Sequence, residues 1–202
     1  MEKQFPIVCV GGSAGGLDAY VKLLKELPFD TGVAIVIVNH ASQAPSTLAG
    51  FLSKYTKMPV KMITNGLSIK QDHVFIIPPS RDLHFLDGRF RLKAKTKLSG
   101  WPNVITIFLR SLAHHWDGVV IAVIVSGLDS DGAEALREIK QFHGVTIAQM
   151  PETAEWSDMP DSAIKTGYVD HILPVEAIAA KIIQIAHAHH NNMKTLNSKK
   201  TI

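Results

Sequence analysis

The sequence predicts an α/β protein: a doubly wound, mostly parallel β-sheet flanked by helices, with an inserted β-hairpin. Short runs rich in Val and Ile alternate along the chain with segments of helical periodicity. Several of these runs are apolar at successive positions, which is typical of strands buried on both faces of a sheet. One pair of alternating runs is joined by a turn dipeptide, which indicates a hairpin.

Seven runs are predicted to be strands: PIVCV, VAIVIV, PVKMI, VFIIP, VVIAVIV, VTIAQ and VDHILP. Apolar residues at helical spacing occur between them, at Leu17, Tyr20, Val21, Leu24 and Leu27 and again at Ile105, Leu109 and Leu112. The segment LHFLDGRFRL places Asp87-Gly88 between two alternating runs and predicts the hairpin. A strand followed by a helix, repeated, favours parallel strands.

The length and composition suit one globular domain. The chain has 202 residues, of which 46% are hydrophobic and 19% are charged, with a net charge of +3. We expect a single domain over residues 1–187 and a polar, disordered tail over residues 188–202. The single cysteine, Cys9, has no partner for an internal disulfide and is predicted to be a small buried residue of the first strand.

Several classes of function are disfavoured. The mild positive charge is not gathered into a dense Lys/Arg stripe, so nucleic-acid binding is not indicated. No apolar run approaches the ~20 residues that span a bilayer, and the N-terminus lacks a signal-peptide pattern. We therefore expect a soluble, cytoplasmic protein that does not insert into a membrane. No metal-ligand spacing is present, so we expect no metal, and the histidines after Ile185 are expected to be solvated.

The stretch FPIVCVGGSAGGLDAY places a serine in the turn between the first strand and the first helix. A dinucleotide fingerprint would need glycine where Ser13 stands, and a phosphate-binding P-loop would need lysine where Leu17 stands. The pattern that fits completely is GxSxG, from Gly11 to Gly15, in which a sharp turn exposes a nucleophilic serine. A nucleotide or phosphate binder using this turn remains an open alternative, although we expect no cofactor.

A nucleophilic serine needs a base and a group that orients the base. His40 ends the second strand run, and Asp129 and Asp131 follow the run VVIAVIV. If the strands are parallel, their carboxyl ends meet at one edge of the sheet, so Ser13, His40 and Asp131 are predicted to form a triad there. The plain alternatives are a helix N-cap for Asp131 and a hydrogen-bonded strand-end histidine for His40. The order Ser, His, Asp differs from that of the α/β-hydrolase fold.

These motifs resemble the catalytic domain of the chemotaxis protein-glutamate methylesterase family, CheB type, over roughly residues 5–185. The resemblance rests on VGGSAGG, VNH, IIPPSRDLHF, SGLDSDGAEAL and IAQMPETAEWSDMPDSAIKTGYVDHILP, in the expected order. It implies that Ser13 is the nucleophile, His40 the general base and Asp131 the orienting carboxylate. Backbone N–H groups of Ala14 and Leu128 would face the oxyanion.

The resemblance implies hydrolysis of γ-glutamyl methyl esters on methyl-accepting chemotaxis receptors, with release of methanol, and deamidation of receptor glutamines. Three positions depart from the family: Ala14 replaces the usual Thr, and Leu128 and Asp129 replace the usual Met and Gly. Asp129 adds a carboxylate beside the triad, which is expected to disfavour an acidic substrate or a developing oxyanion.

The best-known family member carries an N-terminal receiver domain, whereas this chain begins only a few residues before its first predicted strand. We therefore expect activity that is constitutive or that depends on a partner, such as a separate receiver or a methyltransferase. The alternative from another class is a non-catalytic adaptor with the same fold that docks on a receptor or methyltransferase.

Overall fold

The computed structural model describes residues 4–40, 45–96 and 103–199. The strands in these residues are β1 (Ile7–Gly12), β2 (Ala34–Asn39), β3 (Val60–Met62), β4 (His73–Ile76), β5 (Arg81–Leu86), β6 (Arg89–Ala94), β7 (Val120–Ile124), β8 (Val145–Gln149) and β9 (His171–Leu173). The α-helices are α1 (Gly16–Glu26), α2 (Pro45–Leu52), α3 (Val104–His115), α4 (Leu136–Gln141), α5 (Asp158–Lys165) and α6 (Val175–Lys199).

Seven of the strands form one parallel sheet in the order β3-β4-β2-β1-β7-β8-β9. The chain adds β2, β3 and β4 on one side of β1 and then crosses over to add β7, β8 and β9 on the other side. This is the doubly wound topology that the sequence predicts, and each of the seven predicted runs overlaps one of these strands. The crossover leaves β1 at the centre, between β2 and β7.

The predicted hairpin is β5 and β6. The two strands pair antiparallel, with Phe85 opposite Phe90 and Leu86 opposite Arg89, so the turn falls at Asp87-Gly88 as predicted. The ring of Phe90 lies 5.1 Å from that of Phe75 in β4 and 6.3 Å from that of Phe108 in α3, measured between centroids. These buried aromatic contacts fix the hairpin to the sheet.

The strands of the parallel sheet alternate between two hydrophobic cores. In β1, Ile7 and Cys9 pack into one core, whereas Val8 and Val10 pack into the other. Helices α3, α4 and α5 and the hairpin cover the first core, and α1, α2 and α6 cover the second. Since both faces of the sheet are buried, its strands read as nearly continuous apolar runs. Cys9 is buried in β1, as predicted.

Two details differ from the sequence analysis. Leu17, which fits the apolar spacing of α1, is 46% exposed, because the buried face of α1 is formed instead by Gly16, Ala19, Tyr20, Leu23 and Leu24.

The C-terminal segment is the second difference. A disordered tail is predicted from residue 188, whereas helix α6 continues through Lys199, and His189 Nε2 lies 2.9 Å from the carbonyl oxygen of Gln4. Residues 200–202 lie outside the described part of the chain. Within the described residues, no helix is both long and apolar enough to cross a bilayer.

Helix α5 packs closely against the loop that follows β7. The Met159 N–H donates to the carbonyl oxygen of Gly127 at 3.0 Å. A Cβ added at Gly127 would collide with Met159 Sδ and would lie 3.1 Å from Ser13 Cβ. Only glycine therefore fits at residue 127 without displacing a neighbour.

We predict that Gly127→Ala lowers the free energy of unfolding by about 1–3 kcal/mol, because the added methyl group overpacks a buried contact. The matched control is Gly50→Ala in α2, where an added Cβ meets open space. That control is expected to gain about 0.5–1 kcal/mol from helix propensity. Chemical denaturation of both variants measures the difference. Equal stability of the two variants would contradict the packing described for Gly127.

Candidate active site

The carboxyl ends of β1, β2 and β7 meet at one edge of the sheet. Gly12 at the end of β1 pairs with Asn39 at the end of β2, and Gly11 pairs with Ile124 at the end of β7. Ser13, His40 and the loop 125–131 follow directly after these positions. This is the switch point of a doubly wound sheet, where such folds bind ligands.

Ser13 lies in a tight turn between β1 and α1 and is half-buried. Its N–H donates to the carbonyl oxygen of Ser126 at 2.9 Å. Gly15 has a φ of +70°, and a Cβ there would lie 2.6 Å from Ser126 Oγ and 2.7 Å from Glu155 Cβ. The turn therefore needs glycine at residue 15 both for its backbone angle and for space.

Ser126, which was not among the residues predicted for the site, holds this turn in place. Ser126 Oγ donates to the carbonyl oxygen of Ala14 at 2.8 Å and accepts the Trp156 N–H at 2.9 Å. The Ser126 N–H donates in turn to Gln149 Oε1 at 3.0 Å. Ser126 and Gln149 are polar residues at or just after the ends of apolar strands, and both are buried. A polar residue at the end of an apolar run is the sequence signal that could have identified them.

Asp131 is buried and anchored by the start of α3. Its Oδ2 accepts the Ile105 N–H and its Oδ1 accepts the Thr106 N–H, both at 2.9 Å. These are N–H groups of the first helical turn, which have no partner within the helix and which stabilise negative charge. Asp131 therefore caps a helix, as the plain alternative proposed, but it caps α3 and not the helix that follows it in the chain.

The same Asp131 carboxylate contacts His40. His40 Nε2 lies 2.8 Å from Asp131 Oδ2, as an acid and the base it orients would lie. The side chains are 8% and 1% exposed, respectively. The predicted base and its predicted orienting carboxylate are thus in direct contact, in a site shielded from water.

A second carboxylate, that of Asp129, contacts the other nitrogen of the ring. His40 Nδ1 lies 2.8 Å from Asp129 Oδ2, and the Asp129 side chain is only 3% exposed. The other oxygen, Asp129 Oδ1, accepts the Asp131 N–H at 2.7 Å. Asp129 was expected to influence substrate charge, and its direct contact with His40 was not anticipated.

The two carboxylates determine the protonation of His40. Burial by itself lowers the pKa of the imidazole, but the close contact with Asp129, the hydrogen bond with Asp131 and the charges of both carboxylates outweigh burial and raise the pKa from 6.5 to about 9. At neutral pH the ring is therefore an imidazolium. Both nitrogens face carboxylates, and among the described residues neither nitrogen is hydrogen-bonded to Ser13 Oγ.

Of the residues predicted to bind an oxyanion, one adjoins Ser13 and the other adjoins a residue that packs against Ser13. Ala14 follows Ser13 directly, and Leu128 follows Gly127, whose added Cβ would touch Ser13. In the part of the chain that the structure describes, the N–H groups of Ala14 and Leu128 donate to no backbone acceptor. Leu128 is 40% exposed, and Trp156, whose N–H donates to Ser126 Oγ, is 43% exposed.

Cys9 lies in β1 under this site. Its thiol is buried, and burial together with the charge of Asp131 raises its pKa far above the ordinary value. The thiol is therefore neutral and is not a nucleophile.

Comparison with known proteins agrees with the fold. The family model described as CheB methylesterase matches residues 8–182. The crystal structure of the Thermotoga maritima CheB methylesterase catalytic domain superimposes with a TM-score of 0.82 at 29% identity, covering 91% of this chain and 100% of that domain.

Relatives with curated names agree with the family match. The protein-glutamate methylesterase/protein-glutamine glutaminase 4 of Burkholderia thailandensis is 30% identical over 191 residues, which are 94% of this chain and 56% of that protein. The chain thus spans about half the length of this relative. A Leptospira interrogans relative named for the same two activities is 31% identical over 186 residues and is covered over 95% of its length. With a family model that matches most of its length, the chain belongs to the CheB methylesterase family.

Proposed function

We propose that this protein is a protein-glutamate methylesterase that hydrolyses γ-glutamyl methyl esters of methyl-accepting chemotaxis receptors to glutamate and methanol. The observation that carries the proposal is the contact of His40 with the helix-anchored Asp131 at the sheet edge where Ser13 lies. Family membership and the names of the relatives support the same reaction. The receptor substrate and a cytoplasmic location are part of the proposal and rest on the family.

In the proposed reaction, Ser13 Oγ attacks the ester carbonyl carbon while His40 accepts the hydroxyl proton. Since Nε2 is held by Asp131, the proton goes to Nδ1. The tetrahedral intermediate collapses, His40 returns the proton to the departing methoxide, and methanol leaves. Water then attacks the acyl-enzyme with His40 again as base, which releases glutamate and restores Ser13.

The oxyanion of each tetrahedral intermediate is proposed to accept hydrogen bonds from the N–H groups of Ala14 and Leu128. Loss of one such donor typically costs on the order of 3 kcal/mol in the transition state. The replacements of Thr by Ala14 and of Met by Leu128 keep both backbone donors, because an N–H group does not depend on the side chain.

Deamidation of receptor glutamines is a second proposed activity, since an amide passes through the same kind of intermediate. Regulation by a separate receiver or methyltransferase remains part of the proposal.

A second candidate function is a non-catalytic adaptor that docks on a receptor or methyltransferase. The observation that favours it is the contact of Asp129 with His40 Nδ1, which leaves Ser13 without a base in this conformation. Reaction of Ser13 with a fluorophosphonate above the raised pKa of His40 separates the two functions, because an adaptor would react no faster than a free serine even where the imidazole is neutral.

We predict that Ser13→Ala abolishes methanol release from methylated chemoreceptor cytoplasmic fragments and leaves the fold intact, because it removes only the nucleophilic oxygen. The matched control is Ser53→Ala, at an exposed serine after α2 whose hydroxyl donates to the Gly50 carbonyl oxygen, and this variant is expected to keep wild-type release. Methanol is quantified for the three proteins, with circular dichroism as the test of folding. Undiminished release by Ser13→Ala would reject the assignment.

We predict that Asp131→Asn lowers kcat by about 10⁴-fold with little change in KM, because the amide does not stabilise the imidazolium that forms in the transition state. Steady-state kinetics of methanol release separate the two parameters. An unchanged kcat, or a loss confined to KM, would mean that Asp131 serves only as the cap of α3.

A further inference from the structure

We propose that Asp129 is a latch on the active site: its carboxylate occupies the His40 nitrogen that Ser13 requires, so that the triad assembles only when Asp129 releases that nitrogen. Asp129 acts through His40 and is therefore a positioning residue. The inference rests on the proposed roles of Ser13 and His40.

With His40 Nε2 held by Asp131, only Nδ1 could serve as the base for Ser13. Asp131 holds Nε2 at 2.8 Å, and Asp129 Oδ2 lies 2.8 Å from Nδ1. An imidazole has two nitrogens, and a base that serves serine must present one of them without a proton. With carboxylates on both nitrogens, the imidazolium has no vacant position to accept the Ser13 proton.

The two carboxylates are held unequally. Asp131 accepts hydrogen bonds from two N–H groups of α3, those of Ile105 and Thr106, as well as from His40. Asp129 is held through Oδ1, which accepts the Asp131 N–H. Its Oδ2 is buried and lies close to His40 Nδ1, but within the described residues it has no well-aligned hydrogen bond. A buried carboxylate oxygen without an aligned donor is costly, so Asp129 is the partner that withdraws more easily.

The charges around His40 give the latch its pH dependence. Asp129 and Asp131 are the charged groups that raise its pKa to about 9, and the buried Cys9 thiol beside Asp131 is neutral. With that pKa, only about 1% of the ring is neutral at pH 7. As the pH rises through the pKa, His40 loses a proton, its attraction for Asp129 disappears, and Nδ1 becomes available to Ser13. Activity is therefore expected to increase with pH.

The test is the rate at which a fluorophosphonate labels Ser13, because this reaction needs the base but no natural substrate. Ser13 Oγ bonds to phosphorus, fluoride leaves, and the hydroxyl proton passes to His40. Wild type is compared with Asp129→Gly, Asp129→Asn and Ser13→Ala from about pH 6 to about pH 10, which brackets the ordinary and raised pKa of His40. Asp30→Asn, at an exposed aspartate between α1 and β2, is the matched control for loss of one negative charge.

We expect wild type to label slowly at neutral pH and to reach half its maximal rate near pH 9. Both Asp129 variants should label about 10-fold faster or more at neutral pH, with the midpoint at least about one pH unit lower, because one opposite charge is removed from the imidazolium. Asp30→Asn should follow wild type, and Ser13→Ala should not react. The shift in midpoint is a readout that a merely structural role of Asp129 would not produce.

Unchanged or slower labelling by folded Asp129 variants at neutral pH would overturn the latch, as would an unchanged midpoint. Asp129→Asn keeps an acceptor for the Asp131 N–H, so it decides the question if Asp129→Gly fails to fold. If neither variant folds, a wild-type midpoint near the ordinary value of 6.5 overturns the proposal and a midpoint near 9 supports it.

Methanol release from methylated receptor fragments, measured on the same proteins, separates this inference from the proposed function. Faster labelling by the Asp129 variants with no methanol from any protein supports the latch and rejects the proposed substrate. Absence of labelling in every protein at every pH rejects both.

Discussion

The contact between His40 and Asp131 is the interaction on which the site depends. His40 follows β2 and Asp131 follows β7, so the contact joins the two strands that flank β1. Removing one member of such a buried pair typically costs about 3–5 kcal/mol, because the other charge stays buried without compensation. Here the first turn of α3 also stabilises the carboxylate, which ties the position of that helix to the geometry of the site. The doubly wound topology makes the contact possible, since it places β1 between strands that are far apart in the sequence.

The order of the strands' ends and the position of the site can be predicted from the sequence, because strand burial and parallel pairing leave a regular pattern of apolar residues. A strand buried on both faces must be apolar at successive positions, and the runs that overlap β1, β2 and β7 have that pattern. Once those strands are taken as parallel, Ser13, His40 and Asp131 must fall at one edge, which is where they lie. The turn Asp87-Gly88 fixed the hairpin register for a similar reason, because the dipeptide suits the tight connection that this register requires.

Features that depend on tertiary contact could not be predicted in this way. The sequence suggested a cap for Asp131 but not which helix it caps, because Ile105 and Thr106 lie far from it in the chain. Asp129 stands two residues before Asp131, and nothing in that spacing shows that both carboxylates reach the same ring. The role of Ser126, which joins the turn at Ser13 and Ala14 to the backbone of Trp156, likewise appears only in three dimensions. The polar composition after residue 187 concealed the continuation of α6, since an exposed helix needs few apolar residues.

The site described here depends on the protonation of His40, and nitrogen NMR of the imidazole measures that protonation directly. The protein is labelled with ¹⁵N at histidine, and the His40 resonances are identified by their loss in His40→Gln. We expect both ring nitrogens to carry protons at neutral pH and to titrate with a midpoint near 9. A ring with one unprotonated nitrogen at neutral pH, titrating near 6.5, would contradict it and would mean that Nδ1 is already available to Ser13.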